Sequence, residues 1–292
     1  MKKNSITITY LTKVTFSSLN GSDKDVDNVN PIKKITLNDN SELPYVSSQA
    51  IRRALRDRLE DMGEAISLVT PGDGKNPPKT EGKPADKIDD DLFGFMDASG
   101  DQRTSPIRVE ALIALNKYKG DLDFGTNLQG SKSGKDPNIF ETEIHSGLYR
   151  GTILIELDRV GRGVKSKKGY SDENYIQSEE KARRVSVFLD AFRTLWSSGR
   201  QTRFLADISP KFIAAAYMKV KNPIFLETVD VDKNGIVNSN ELNTVISDYD
   251  KFIESHVFAM QSATLKANSE VKSLKDGFEM IEDWIKDYYK AK

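Results

Sequence analysis

The chain has 292 residues, of which 37% are hydrophobic and 30% are charged, and its formal net charge is −1. This length allows one large domain or two modest ones, and the balanced charge argues against uniform, non-specific binding of nucleic acid. The absence of cysteine excludes disulfide frameworks, cysteine–zinc sites and thiol nucleophiles, and it fits a reducing cytoplasm. Because the sequence shows neither a secretory signal nor a bilayer-length apolar run, we expect a cytoplasmic protein without a membrane partner.

The first half of the chain predicts one strand, one helix and one long loop. Alternation of apolar and hydroxyl residues predicts a strand with Ile6, Ile8 and Tyr10 on one face. A helical period then places four apolar residues toward a core: Ile51, Leu55, Leu59 and Met62. Residues 70–91 carry four prolines and three glycines, which predicts a mobile loop. Residues 92–146 mix short apolar runs with Gly, Asn and Pro and predict no particular element.

The second half predicts two strands and two amphipathic helices. LYRGTILIELDRV (Leu148 to Val160) and FIAAAYMKV are typical of buried strands. One helix shares an apolar face made of Ala182, Val185, Phe188, Leu189, Phe192, Leu195 and Trp196. The C-terminal helix has a stripe made of Leu274, Phe278, Ile281, Ile285 and Tyr288. This succession of strands and helices, with inserts at the junctions, predicts an α+β fold.

DVDKNGIVNSNE (Asp230 to Glu241) matches the spacing of a calcium-binding EF-hand loop, with Gly235 at the turn. The preceding VKNPIFLETV contains a proline and many β-branched or aromatic residues, which disfavours the entering helix of an EF-hand. We therefore favour a strand, a tight turn and a helix over a calcium site. The two histidines, His145 and His256, have no metal-like spacing, and we expect structural roles for them.

The segment LPYVSSQAIRRALRDRL (Leu43 to Leu59) predicts a helix with a segregated basic face. Ser47 or Ser48 can cap its N-terminus, where free backbone N–H groups and the helix dipole favour anions. At 100° per residue, four polar side chains fall within an arc of about 100°: Gln49, Arg52, Arg53 and Arg56. The alternative is a solvated face whose arginines pair with acids elsewhere in the fold. Segregation of the arginines favours phosphate binding, with RNA or DNA as the ligand.

The same helix resembles the first-helix signature of the CRISPR-associated Cascade backbone subunits, in the DevR-like branch of type I-B systems within the RAMP superfamily. The resemblance rests on YVSSQAIRRALR and on further segments in the same order. These are DLFGFM (Asp91 to Met96), TSPIRVEALIAL (Thr104 to Leu115), FETEIHSGLYRGTILIELDRVG (Phe140 to Gly161) and GRQTRFLADISPKF (Gly199 to Phe212).

The resemblance implies a modified ferredoxin-like (RRM-like) palm as a single domain over residues 1–292. It also implies inserted helical fingers at residues 63–145 and a thumb hairpin at residues 161–177. Copies of such a subunit line up along a CRISPR guide RNA beside other Cascade subunits. They hold the phosphate-ribose backbone so that the guide can pair with target DNA. The sequence has no RNP1-type aromatic motif, so we expect backbone contacts rather than base stacking.

The resemblance also implies the RNA-binding residues, and no catalytic residue, metal or cofactor. The first helix carries Ser47, Ser48, Gln49, Arg52, Arg53 and Arg56. The thumb segment carries Arg162, Lys165, Lys167 and Lys168, and Arg159 lies just before it. The turn after the second long helix carries Arg200, Gln201 and Arg203.

An RNA-cleaving enzyme is the alternative function. Related backbone subunits of type III complexes cut RNA with an acidic loop residue, and NGSDKDVDN offers Asp23, Asp25 and Asp27. These carboxylates suit magnesium, but a loop rich in Asp, Asn, Gly and Ser is first of all a turn. Because carboxylates alone fix no catalytic geometry, we expect a non-catalytic protein.

Overall fold

The computed structural model describes residues 3–22, 29–72, 74, 78–97, 100–127, 138–166, 169–197, 199 and 202–290. Five residues singled out in the sequence lie outside these ranges: Asp23, Asp25, Asp27, Lys167 and Lys168. Arg200 and Gln201 also lie outside the described residues. Within the described residues, no helix combines the length and apolar character that a membrane-spanning helix needs.

Seventeen strands are present in the described residues. They are β1 (Ser5–Ser17), β2 (Val29–Asn30), β3 (Lys34–Thr36), β4 (Glu42–Val46), β5 (Phe95–Met96), β6 (Gln102–Arg103), β7 (Ile107–Val109), β8 (Leu112–Ala114), β9 (Asp121–Asn127), β10 (Asn138–Glu156), β11 (Arg162–Ser166), β12 (Gly169–Asn174), β13 (Phe212–Met218), β14 (Ile236–Val237), β15 (Ile253–Met260), β16 (Lys266–Ala267) and β17 (Lys272–Ser273). The helices are α1 (Ser48–Asp61), α2 (Ile88–Phe93), α3 (Ser178–Arg193), α4 (Ser239–Asp248) and α5 (Leu274–Lys290), with a 3₁₀ turn at Asp250–Phe252.

The largest sheet is mostly antiparallel and is centred on β1 and β10. Strand β1 pairs with β10 along almost its whole length and with β13 on its other side, and β10 pairs with β7. The central order is therefore β13–β1–β10–β7, while α1 follows β4 and α3 follows β12 in the chain. This mixed α+β arrangement confirms the predicted fold class and is compatible with an RRM-like palm.

One face of the sheet is covered by α1, α3 and α5. Successive side chains of a strand point to opposite faces, so Ile6, Ile8 and Tyr10 all point toward these helices. They are at most 1% exposed and form one core with Leu55 of α1 and Phe192 of α3. The Tyr10 and Phe192 rings meet edge to face, with their centroids 4.8 Å apart.

The opposite face of the sheet has a second, smaller core. Leu11, Phe212 and Met218 lie on this face and are fully buried. The segment that leads to α4 covers them with Phe225, and α4 itself contributes Leu242. The two cores enclose β13, whose seven residues are all buried, as expected for its continuous apolar sequence.

The segments with helical or strand periodicity fold as the predicted helices and strands. Met62 and Leu195, which were predicted on helix faces, lie beyond the ends of their helices. Met62 lies beyond α1 at its C-cap and is 41% exposed, because the helix ends before its side chain can turn back to the core. Helix α3 ends at Arg193, so Leu195 is buried from the segment after the helix rather than from its face. Strand β10 begins at Asn138, ten residues before the predicted start, and ends at Glu156.

The prediction of a mobile loop over residues 70–91 was wrong at the end of that segment, where α2 begins. Thr70 and Lys79 pair in a β-bridge, and Ile88 to Asp91 belong to the buried helix α2. The resemblance implies helical fingers at residues 63–145. In the described part of that segment, α2 is the one helix, whereas β5 to β9 are strands. Strands β7 and β8 pair with β10 and so belong to the main sheet.

Residues 161–177 contain the antiparallel hairpin of β11 and β12, which is exposed along β12. Strand β11 also pairs with β6, and β6 pairs with β5, so the hairpin joins a four-stranded sheet beside α2. A second ribbon is formed by β9 at residues 121–127 and the first part of β10 at residues 138–144.

The EF-hand-like segment forms a turn between short elements. Residues 224–228 form a turn where an EF-hand has its entering helix. The Asp232 carboxylate accepts the backbone N–H groups of Asn234 and Ile236, at 2.8 and 2.9 Å. These bonds lower the pKa of Asp232 and close the loop on itself. The chain then continues through β14 into α4, so the predicted turn and helix are present, whereas residues 221–230 do not form the predicted strand before the turn.

Candidate nucleic-acid interface

The N-terminus of α1 is fixed by the loop that follows β1. Ser47 is the N-cap: its backbone is extended and its hydroxyl accepts the Ala50 N–H at 3.4 Å. The Ser47 N–H donates to the Asn20 side-chain oxygen at 2.9 Å. The first turn of α1 contains no acidic residue, so the positive end of the helix is not neutralised locally.

A cavity of about 320 Å³ lies at this end of α1. Its lining includes Asn20, Arg53, Ser197 and Gly199. Arg53 is 65% exposed, and its ion pair with Asp57, at 2.8 Å, is a surface pair one helical turn away. The structure therefore brings the basic helix together with the start of the glycine-arginine turn, two segments to which the family resemblance assigns RNA-binding residues.

Arg52 and Arg56 have a different environment from Arg53. Both guanidiniums lie over the Phe93 ring, at 5.8 and 4.9 Å from its centroid. Arg52 also donates to the Phe93 carbonyl, and Arg56 donates to the buried Asp89 carboxylate at 3.0 Å. Burial, together with the charge of Arg56, lowers the pKa of Arg52. Of the three arginines predicted on one free face, two are therefore fastened to α2.

The remaining polar residues of α1 stay near its exposed N-terminus. Gln49 is exposed and Ser48 is half-buried, and the Ser48 hydroxyl donates to the Gln49 side-chain oxygen at 3.3 Å. Both lie in the first turn, beside the capped end of the helix. They keep polar groups available there without an ion pair that an anion would have to displace.

The predicted thumb residues lie on or beside the β11–β12 hairpin. Arg159 is 3.6 Å from Glu156, in the turn that leads into the hairpin. Arg162 pairs with Asp172 across the two strands. Lys165 is exposed and forms no ion pair with the described residues. None of these three residues lines the cavity at α1.

Arg203 contacts the other ribbon. Its guanidinium pairs with Asp123 of β9, donates to the Thr142 hydroxyl at 3.2 Å, and lies over the rings of Phe140 and Phe204. These contacts fasten the segment after Gly199 to the β9–β10 ribbon. Arg203 therefore holds a neighbouring element in place and is one third exposed.

A buried charge network behind this surface was missed by the sequence interpretation. Asp89, Asp90 and Asp91 of α2 are at most 1% exposed. Asp91 accepts from Arg103 Nη2 at 2.6 Å and from Arg184 Nη1 at 2.9 Å. The available signal was the apolar flank of IDDDLF, formed by Ile88, Leu92 and Phe93, because three aspartates by themselves indicate solvent.

Several comparisons place the chain among known proteins. The model of the family described as "CRISPR-associated negative auto-regulator DevR/Csa2" matches residues 8–240. A relative from Myxococcus xanthus (strain DK1622), "CRISPR-associated protein Cas7/Cst2/DevR", is 29% identical over 133 residues. That match covers 38% of this chain and 44% of the relative, so it spans less than half of the relative's length.

Two solved structures share the fold. A chain of a "CRISPR RNA-guided surveillance complex" has a TM-score of 0.59 at 15% identity, covering 96% of this chain and 98% of its own length. A chain of such a complex described as "pre-nicking" has a TM-score of 0.62 at 14% identity, covering 96% and 99%. At these identities the likeness shows the fold alone. The family match extends over most of the sequence, and the chain therefore belongs to the CRISPR-associated DevR/Csa2 family.

Proposed function

We propose that this protein is the guide-RNA-binding backbone subunit of a type I CRISPR surveillance (Cascade) complex. Its family, and the fold that it shares with chains of RNA-guided surveillance complexes, support a backbone role. In this proposal the sheet and its helices form an RRM-like palm. The β11–β12 hairpin acts as the thumb, and residues 63–145, apart from strands β7 and β8 of the main sheet, provide the fingers.

The observation that carries the RNA-binding proposal is the cavity at the N-terminus of α1. A capped helix end, the exposed Arg53 and the residues Ser197 and Gly199 meet there. Free N–H groups and a guanidinium are the groups that bind phosphate oxygens in a sequence-independent way. A subunit that must accept any guide sequence needs this kind of contact.

The same proposal includes the partners. Copies of the subunit polymerise along the guide, other Cascade subunits complete the assembly, and target DNA is recognised through pairing with the guide. The formal net charge of −1 suits such a polymer, because each copy can confine its basic groups to the RNA groove while the rest of its surface stays balanced. Expression with a CRISPR array should therefore yield an RNA-bound multimer, and an RNA-free monomer at low salt would contradict the proposal.

The sharpest test of the interface is Arg53→Ala. We expect RNA affinity to fall by a similar factor for unrelated RNA sequences, and the salt dependence of binding to lose about one unit of slope, as for a phosphate contact. Lys275→Ala is the matched control, because Lys275 is an exposed cation with an i,i+4 partner on α5, away from the cavity. Equal affinity losses in the two variants would refute a specific role for Arg53.

Arg52→Ala combined with Arg56→Ala is a less selective variant. We still expect it to weaken RNA binding and flatten the salt dependence. However, removal of Arg56 leaves the buried Asp89 carboxylate without its guanidinium, so folding changes as well. Arg53→Ala avoids this problem because its ion pair lies at the surface.

We further propose that the subunit binds RNA without cutting it and needs no cofactor or metal. The competing hypothesis is magnesium-dependent cleavage by Asp23 or Asp25. Incubation of the guide-bound protein with complementary RNA and magnesium tests it directly, since we expect no cleavage products. Cleavage that is lost in the variant Asp23→Ala with Asp25→Ala would overturn the proposal.

A further inference from the structure

Arg103 uses its whole guanidinium to fasten the base of the β11–β12 hairpin. Its side chain is fully buried. Nη1 donates to the carbonyls of Arg162 and, at 2.7 Å, Gly163, and Nη2 donates to the carbonyl of Arg159 at 2.9 Å. Three backbone carbonyls of the segment that enters the hairpin are thus held by one side chain.

The other side of the same guanidinium is held by α2. Arg103 Nε donates to the Asp91 carbonyl at 2.9 Å, and Nη2 donates to the Asp91 carboxylate at 2.6 Å. That carboxylate also accepts the Gly161 N–H at 3.0 Å and the Tyr175 hydroxyl at 2.8 Å, one from each end of the hairpin. Both chain segments at the hairpin base therefore converge on the Asp91–Arg103 pair.

The backbone at this base has little freedom to adjust. Gly161 and Gly163 have φ values of 69° and 83°, in the region that favours glycine. A Cβ atom on Gly161 would clash with the side chains of Ile176 and Lys181. The turn is thus shaped so that its carbonyls face the buried guanidinium.

Helix α2 links this base to the basic helix. Asp89, two residues before Asp91, accepts from Arg56 of α1 at 3.0 Å, while Asp91 binds Arg103. Phe93 at the end of α2 lies under Arg52 and Arg56. One six-residue helix therefore contacts two of the three elements that carry predicted RNA-binding residues, α1 and the base of the hairpin.

We propose that Arg103 is a positioning residue: it holds the β11–β12 hairpin at a fixed angle to α1, so that RNA contacts made by the hairpin depend on it. This inference rests on the proposed function for its RNA consequence, but not for the positioning itself. Arg103 does not touch RNA in this scheme, since its side chain is fully buried.

Arginine is needed for this role because only a guanidinium offers five N–H donors in a planar fork. Arg103→Lys keeps a cation next to Asp91 but cannot reach the carbonyls on both sides. Arg184→Lys is the matched control. Arg184 is also buried and donates to the Asp91 carboxylate. Its other hydrogen bonds go to the carbonyls of Pro84 and Ala85 and to the Glu180 carboxylate, and, among the described residues, none goes to the hairpin.

Amide hydrogen exchange on the RNA-free, full-length protein tests the positioning. In Arg103→Lys we expect exchange of the β11 and β12 amides to accelerate by at least about 10-fold, while amides of β1 and β13 keep their protection. Arg184→Lys should leave the hairpin amides close to wild type. If Arg103→Lys does not fold, Tyr175→Phe removes one bond at the hairpin base, and a smaller acceleration in the same strands is expected.

RNA affinity then tests whether Arg103 acts through the hairpin. We expect Arg103→Lys to weaken RNA binding by about 10-fold, within the usual range of coupling between interacting residues. In a background with Arg162→Gln and Lys165→Gln, the same substitution should weaken RNA binding by a clearly smaller factor. A merely structural role would give the same loss in both backgrounds.

The outcomes separate this inference from the proposed function. Unchanged hairpin exchange in Arg103→Lys, or equal acceleration in Arg184→Lys, overturns the positioning role. If Arg103→Lys lowers RNA affinity by the same factor in the wild-type protein and in the variant with Arg162→Gln and Lys165→Gln, Arg103 does not act on RNA binding through the hairpin. If the wild-type protein binds no RNA, the proposed function fails, while the exchange measurement still decides whether Arg103 positions the hairpin.

Discussion

Asp91→Asn is the substitution with the largest expected effect on stability. The change keeps the shape of the side chain but removes its charge. Asp91 is fully buried and accepts four hydrogen bonds, two of them from the guanidiniums of Arg103 and Arg184. An asparagine retains one acceptor oxygen and directs an NH₂ group toward these donors.

The expected loss follows from the two guanidiniums that remain. Removing one partner of a buried ion pair costs about 3–5 kcal/mol, because the remaining charge is left desolvated. Arg184 keeps Glu180 at 2.8 Å, so part of its charge stays compensated, whereas Arg103 has no second carboxylate among its described partners. We therefore expect a loss of about 3–5 kcal/mol, a large fraction of the roughly 5–15 kcal/mol that stabilises a typical domain.

Urea unfolding followed by circular dichroism measures this loss through the midpoint and the slope. Asp190→Asn is the control, since Asp190 is 59% exposed and lies 3.7 Å from Arg193 in a surface pair. We expect the control to change stability by less than about 0.5 kcal/mol. A loss below about 1 kcal/mol in Asp91→Asn, with an unchanged slope, would show that the buried network does not stabilise the fold as argued.

Three further outcomes are expected from thermal unfolding. Gly94→Ala should destabilise the protein by more than about 2 kcal/mol, because φ is 69° at this position and a Cβ would overlap the Arg103 carbonyl; a neutral result would contradict this backbone geometry. Ser47→Ala should cost about 0.5–1 kcal/mol through the lost cap, and no change would mean that the 3.4 Å bond to Ala50 contributes nothing. Burial lowers the pKa of His145 to about 4. Between pH 6.5 and 4 the unfolded chain therefore binds a proton that the folded chain does not, and stability should fall as the pH is lowered through this window. His145→Gln should show a shallower fall, and an identical pH profile would refute the assignment.

The elements with strong periodicity were predictable because their signal is local. Strand β1 alternates apolar and polar residues, and α5 repeats its apolar residues at helical spacing, so each pattern implies both the element and its buried face. The α1 cap was predictable for the same reason, since Ser47 precedes the first helical turn. These features depend on neighbours within one or two turns of the chain.

Helix α2 was not predictable in the same way. Prolines and glycines upstream dominate the composition of residues 70–91, and three consecutive aspartates normally indicate solvent. Their burial depends on cations far away in sequence: Arg56, Arg103 and Arg184. Buried carboxylates need such partners, and a single sequence does not reveal which arginines will meet them.

In the candidate site, too, some features follow from the local sequence and others from contacts between distant segments. The sequence by itself determined that α1 has a capped N-terminus and an arginine face separated from its apolar face, because both follow from the helical period. Only the tertiary structure decided which of those arginines stays available, since Arg52 and Arg56 turn to α2 while Arg53 faces the cavity with Gly199. The physical reason is that helical periodicity fixes the direction of a side chain relative to its own axis, whereas its charge partner is fixed by packing between segments distant in sequence.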